Sequence, residues 1–309
     1  MAVHLLTHSY YSLLQSTLSV HQLVASAKQK GFKAIALTDV FTMHGIMQFH
    51  AACEKHGIKP IIGIYLEVSI TDETMSFVLL AKDLNGYRQL CRLSTFANST
   101  TNDLSLEILK ANHDHCIMIV LSEGGWLESE MIAFDKVALE KKVSYLKENF
   151  NDVYIGLSMQ ESIYWKEKNE FIKPIIHQQD LATVALSKVY YDTRDDDRTL
   201  LTLQAIKTQK SVHDPSLILK QHRHLLSVDE MIDLYDIDDL ETSDKIADMI
   251  SSFKLDNLTT LPRYQTGNNI DNKAYLRQLC LLGLQKRYGH LSDHSTYLDR
   301  LEQELEVIL

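Results

Sequence analysis

The 309-residue chain has only four cysteines, Cys53, Cys91, Cys116 and Cys280, and no C-x-x-C pair among them. That scatter argues against a disulfide framework or a C-x-x-C site and suits buried, reduced thiols in a cytoplasmic protein. No apolar run approaches the roughly 20 residues of a membrane span. The longest, such as IMIVL at 117–121, are strand-length. The opening residues lack a basic flank and a cleavage site, so no signal peptide is expected. Neither G-x-x-x-x-G-K-[ST] nor G-x-G-x-x-G occurs, which removes the usual nucleotide cradles. Basic residues are the scarcer charge: 31 Lys and Arg face 41 Asp and Glu, for a formal net charge of −10. Such a balance disfavours a surface built mainly to grip nucleic acid, but it allows an acidic module within a larger DNA-binding protein. The remainder is ordinary for a globular chain with a real core, at 45% hydrophobic and 23% charged.

What is present is a β-then-α rhythm. Val- and Ile-rich runs at 3–8, 34–39, 59–68, 76–82, 116–122, 153–158 and 183–189 read as strands buried on both faces. Helical patterns lie between them. Ser19 and Gln22 suit a capping box, Val20, Leu23, Val24 and Ala27 form an apolar stripe, and Gly31 follows. Further helices are predicted at about 43–56, 85–98, 136–149, 162–180 and 195–209, with Pro174 breaking or kinking the one that contains it. Seven strands with β/α alternation imply a parallel sheet, closed or nearly closed into a barrel whose chemistry sits at the C-terminal strand ends. After 210 helices dominate. LDNLTTLPRYQTGNN at 255–269, with Pro262 and Gly267, reads as a linker, and helices at about 271–288 and 293–309 follow. The last runs to the final residue in mid-pattern, which suggests the front part of something longer.

The opening strand carries His4 and His8. Four residues apart on a strand they share a face but lie about 13 Å apart, too far for one ion. The pairs His113/His115 and His222/His224 fall in expected loops without a suitably spaced carboxylate, and His44 and His50 fall on the second helix. The runs RDDDR (194–198) and DIDDLETSD (236–244) suit acidic first turns of helices.

HLLTHSYYSLLQS, AIALTDVFTMHGIMQFHAACEKHGIKPIIG and VLLAKDLNGYRQL together resemble the PHP (polymerase and histidinol phosphatase) domain. They resemble most closely the PHP domain of the C-family replicative DNA polymerases, the DNA polymerase III alpha subunits. YLRQLCLLGLQKRYG and YLDRLEQELEVIL are similar to the entry into that family's palm, so the resemblance is collinear over essentially the whole chain. It implies an α/β fold: a distorted seven-stranded β/α barrel followed by a mainly helical segment. The expected divisions are a barrel core at 1–209, a helical extension and linker at 210–262, and the truncated start of the palm at 263–309.

In metal-binding members the resemblance implies a three-ion cluster of His, Asp, Glu and Cys ligands that hydrolyses phosphoesters. Matched position by position, this chain departs from that pattern. The H-x-H pair reads Leu6 and His8. The Asp of the following turn reads Gln15. TDH reads Thr38, Asp39, Val40. The Glu after PIIG-x reads Tyr65, and the His opening the next strand reads Ser76. The Cys position falls at Gly124, to within a residue, with Glu123 beside it. N-D-x-H reads Ser187, Lys188, Val189, Tyr190. Only His8 survives as a ligand type, with Asp39 as a neighbour. Leucine, valine and an ammonium offer a metal no lone pair. A vestigial site is therefore expected, without metal, with Tyr65 and Tyr190 filling volume and an Asp39–Lys188 ion pair as one replacement.

The expected role is a catalytically inactive scaffold within a DNA-directed DNA polymerase. Its partners would be the palm, thumb and fingers of the same chain, other replisome subunits, and DNA through the full-length protein, with no membrane. The polymerase carboxylates would lie beyond this segment, and magnesium would serve the full-length enzyme. The alternative is a metal-dependent PHP phosphoesterase using ligands such as Glu123 or His44.

Overall fold

A computed structural model describes residues 2–70, 72–99, 104–158, 163–217, 223–255, 264–266, 270–289 and 295–308. Pro262, Gly267 and His222 lie outside them. The chain divides into two compact units, 1–255 and 256–309.

The first unit is built on a sheet of six strands in sequential order: β1 (Ala34–Leu37), β2 (Lys59–Ile70), β3 (Glu73–Ala81), β4 (Cys116–Leu121), β5 (Val153–Leu157) and β6 (Ala182–Ala185). β1–β2, β4–β5 and β5–β6 pair in parallel. β3 runs antiparallel to both its neighbours, which corrects the all-parallel expectation. The physical reason is local. Only Thr71 and Asp72 separate β2 from β3, and a parallel return needs a crossover of a dozen or more residues.

The seventh stave is the extended segment Val3–His8. On one side Ala36 and Thr38 donate their N–H groups to the carbonyls of His4 and Thr7, at 3.0 and 2.9 Å. On the other, His8 donates to the carbonyl of Val189 and Val189 donates back to Leu6, at 3.0 and 3.1 Å. The segment thus bridges the two edges of the curled sheet. Thr7 and Thr38 reinforce the bridge: Thr38 Oγ1 accepts from Thr7 N–H at 3.0 Å and donates to its carbonyl at 3.1 Å.

The strand residues alternate between two cores, as a pleat requires. Leu6, Ala34, Ala36, Val78, Leu80, Ile117, Ile119, Leu121, Val184 and Leu186 fill the inside of the curl. Ile35, Leu37, Phe77, Leu79, Met118, Val120 and Ile155 face the helices. Those helices are α1 (Val20–Gln29), α2 (Ile46–His56), α3 (Leu84–Ala97), α4 (Leu106–Lys110), α5 (Glu128–Ala133), α6 (Lys136–Asn149), α7 (Ile163–Gln178), α8 (Asp197–Thr208), α9 (Val228–Leu234) and α10 (Ile237–Met249). α10 lays Ile246 and Ala247 into the inner core, and the Ser243 hydroxyl there accepts from Val3 N–H at 3.0 Å. This closes the end of the curl opposite the C-terminal strand ends.

Ser19 caps α1 by accepting from Gln22 N–H, and Gly57 ends α2 in the left-handed conformation at φ 64°. Asp196 completes a capping box with Thr193, and Asp238 and Asp239 occupy the first turn of α10, as the charge runs predicted. α7 runs unbroken through Pro174, contrary to a break there. The proline removes one internal bond, but Ile172, Ile175 and Ile176 on either side are buried and hold the helix to the core. The short α4 and α5 went unread. The second unit contains α11 (Asn272–Tyr288) and α12 (Ser295–Ile308), joined by Arg277 bound to both carboxylate oxygens of Glu302 at 2.6 Å.

The Thr7–Thr38 contact yields a direct expectation. Thr38→Val keeps the shape but strips the acceptor from a buried N–H, so urea unfolding of the chain should show a loss of about 1–3 kcal/mol.

Candidate functional site at the barrel mouth

The parallel strands and the first stave deliver Asp39, Glu123, Ser158, Lys188, Tyr190 and His8 to one mouth. β2 and β3 add Tyr65 and Ser76. Tyr65 pairs with Val40 by a parallel bridge, and the Ser76 hydroxyl donates to the Gly124 carbonyl at 3.2 Å. The buried His8 ring stacks on Tyr190, with centroids 5.1 Å apart, and meets the edge of Tyr65 at 5.8 Å. Leu6 is wholly buried in the inner core beneath them, while Val40 and Gln15 are half-buried at the rim. The Tyr65 hydroxyl donates to Glu67 at 2.8 Å. Burial pushes the Tyr190 phenol up to about 12, so both tyrosines stay neutral near pH 7.

Asp39 is held by the turn after the first stave. Ser9 donates its N–H and hydroxyl to the two carboxylate oxygens at 2.6 and 2.7 Å, and the Ser12 hydroxyl donates at 2.6 Å. Ser12 Oγ also accepts from Val40 N–H at 3.0 Å, closing a small ring of bonds. Burial raises the Asp39 carboxyl above its ordinary range, and the serine bonds offset that only in part. The expected Asp39–Lys188 pair is therefore corrected: no ion pair joins these two among the described residues, and the serines meet the need that a lysine was expected to meet.

Lys188 turns instead to Glu123. Its Nζ donates to the Glu123 carbonyl at 3.1 Å and stands 4.0 Å from the carboxylate. Arg223, which precedes α9, binds the same carboxylate through a guanidinium nitrogen, and the Ser158 hydroxyl donates to it at 2.6 Å. The three charged side chains are 9–14% exposed. Burial alone would push Glu123 up. The charges of Lys188 and Arg223, with the Arg223 and Ser158 hydrogen bonds, outweigh it and hold the carboxyl below its usual range. Gly124 follows at φ 66°, a left-handed conformation that strains any residue with a Cβ, and a Cβ there would stand 3.3 Å from Lys188 Nζ.

His4, His50 and His115 make their hydrogen bonds away from this site. His4 is buried at 1% exposure, its Nε2 3.0 Å from the Leu226 carbonyl and its ring against Phe32. His44 sits exposed in the turn before α2, not on it, while His50 contacts the Phe253 carbonyl from α2. The spacing gave His115 and His224 no carboxylate, but the fold supplies Asp83 at 2.8 Å and Glu230 at 3.2 Å.

A multinuclear metal cluster does not suit this donor set. Of the positions that would supply ligands, two carry aliphatic side chains and one carries a cation. No three His, Cys, Asp or Glu side chains converge to hold an ion among the described residues. Of the two carboxylates in the mouth, Glu123 is met by protein cations and Asp39 by serines. Arg223, Ser9, Ser12 and Ser158 escaped sequence reasoning. Arg223 lies 100 residues from its partner, and the serines carry no motif of their own.

The PHP domain family profile matches residues 4–162, just over half of the chain. The chain belongs to the PHP domain family. This PHP chain is similar along nearly its whole length to curated DNA polymerase III alpha subunits. It is 31% identical to that of Bacillus subtilis over 99% of this chain and 28% of the relative. The Aquifex aeolicus protein is 26% identical over 99% and 30%, and a Staphylococcus aureus protein 28% identical over 100% and 26%. The chain thus spans under a third of the length of these relatives. Among solved structures, an amidohydrolase from Chromobacterium violaceum with bound sulfate and no metal aligns over 62% of this chain and 88% of its own, at 13% identity and a TM-score of 0.45. A two-domain protein from Bacteroides vulgatus containing a predicted PHP-like metal-dependent phosphoesterase aligns over 62% and 52%, at 15% identity and a TM-score of 0.40.

Acid should weaken this unit in a defined window. Burial lowers the His4 imidazole from 6.5 to about 4, with the Leu226 carbonyl opposing only in part. Between those values the unfolded chain takes up a proton that the folded one refuses. Stability is therefore full above pH 6.5 and falls by roughly 3 kcal/mol for this group as pH approaches 4. Denaturant unfolding across that range should show the decline, and His4→Gln should flatten it. Glu230, which burial would raise but which the Ser227 N–H and His224 hold at about 2, adds a further loss below pH 4.5.

Proposed function

We propose that the chain is the amino-terminal PHP domain, with the first palm helices, of a DNA polymerase III alpha subunit, and that it serves that polymerase as a non-catalytic scaffold. The observation that carries the reading is the content of the mouth. Where relatives with a metal cluster would need electron-pair donors, this chain places Leu6, Val40, two tyrosines and the Lys188–Glu123–Arg223 contact. Similarity to the alpha subunits over 99% of this chain supports the parent assignment. The parent would be a DNA-directed DNA polymerase, its nucleotidyl transfer performed by carboxylates and magnesium in the palm beyond this segment. It would act in the cytoplasm with other replisome subunits. Among the described residues no helix is long and apolar enough to cross a membrane.

The scaffold reading expects chemistry to be indifferent to the mouth. His8→Ala and Asp39→Ala in the full-length polymerase should leave kcat/KM for primer extension within about twofold of the parent, with a lower melting temperature as the only cost. The 309-residue chain should hydrolyse no phosphoester with manganese or zinc. Turnover that collapses while the fold persists, or metal-dependent hydrolysis abolished by His8→Ala, would establish the phosphoesterase alternative instead.

A further inference from the structure

A metal cluster at the end of a β/α barrel does more than chemistry. Its cations also neutralise converging carboxylates and tie together the strand ends that carry them. Here most of those donors are replaced, His8 being the one ligand type kept, yet carboxylates still sit in the mouth. Glu123 follows β4, and its side chain is only 14% exposed. Two cations reach it from different parts of the chain. Lys188 follows β6, 65 residues away, and Arg223 precedes α9, 100 residues away. Ser158, following β5, adds a hydroxyl at 2.6 Å. The backbone around the two cations is knitted to the same place: Tyr190 donates its N–H to the Arg223 carbonyl at 2.9 Å, and Arg223 N–H reaches the Tyr191 hydroxyl at 3.1 Å.

We propose that Glu123, Lys188 and Arg223 form an internal ion cluster that takes over the structural work of a metal centre, clamping the ends of β4 and β6 and the segment before α9 around the barrel mouth. This rests on the non-catalytic reading of the mouth. Arg223 is the critical newcomer. Its planar guanidinium, always charged, suits a nearly buried carboxylate better than an ammonium does. A buried ion cluster also has a signature that surface pairs lack. Removing Glu123 leaves the nearly buried Arg223 guanidinium without this anion, and removing Arg223 as well relieves part of that cost.

The test is a thermal double-mutant cycle on the 309-residue chain. Glu123→Met should lower the melting midpoint by about 5–10 °C. Adding Arg223→Met to it should raise the midpoint again, so that the double variant melts above the Glu123→Met single. Arg223→Lys, which keeps the charge, should lose less than Arg223→Met. A Glu123→Met chain that fails to fold while the double variant folds supports the cluster equally. A double variant that melts at or below the Glu123→Met single overturns the cluster and leaves the scaffold reading standing. A wild-type midpoint raised by manganese or zinc and lowered by EDTA overturns both.

Discussion

A carboxylate taken out of water must be neutralised where it sits, and at this barrel mouth the neutralising groups belong to the protein. Glu123 is met by Lys188, Arg223 and Ser158, while Asp39 is met by Ser9 and Ser12. The two acids are satisfied separately, by different segments, and nothing in either arrangement asks for an ion. Around them His8 lies between Tyr65 and Tyr190, which fill space that ligands and solvent would need. The mouth is thereby packed like a core around a few polar groups, among which Asp39 and Glu123 are hydrogen-bonded.

This arrangement depends on the architecture beneath it. The sheet curls because each strand presents alternate residues to an inner and an outer apolar core, and its two edges meet across the first stave. That stave lies between β1 and the residues following β6, so His8, Asp39 and Tyr190 are brought together by backbone hydrogen bonds. The antiparallel β3 begins at the mouth, which explains how Ser76, near its start, reaches the carbonyl beside Glu123.

Much of this was legible in the residues. Val- and Ile-rich runs located every described strand, and Ser19 marked the start of the first helix. The failures have physical causes. The direction of β3 was missed because apolar content reports burial and not strand polarity; the short gap between β2 and β3 held that information. Pro174 does not break its helix, since buried isoleucines on both sides outweigh one missing hydrogen bond. Asp39 was paired with Lys188 because buried charge demands a partner, but a chain offers many partners. Ser9 and Ser12 were close in sequence and closer in space. Arg223 could not be found by spacing, because its tie to Glu123 exists only once the sheet has curled.

The central claim, that protein cations rather than metal ions occupy the mouth, is tested most directly by anomalous diffraction from crystals soaked in manganese or zinc. The account predicts no anomalous peak inside the space bounded by His8, Asp39, Glu123 and Lys188, with the Glu123–Arg223 contact intact. Two or more peaks within that space, coordinated by its side chains, would contradict it.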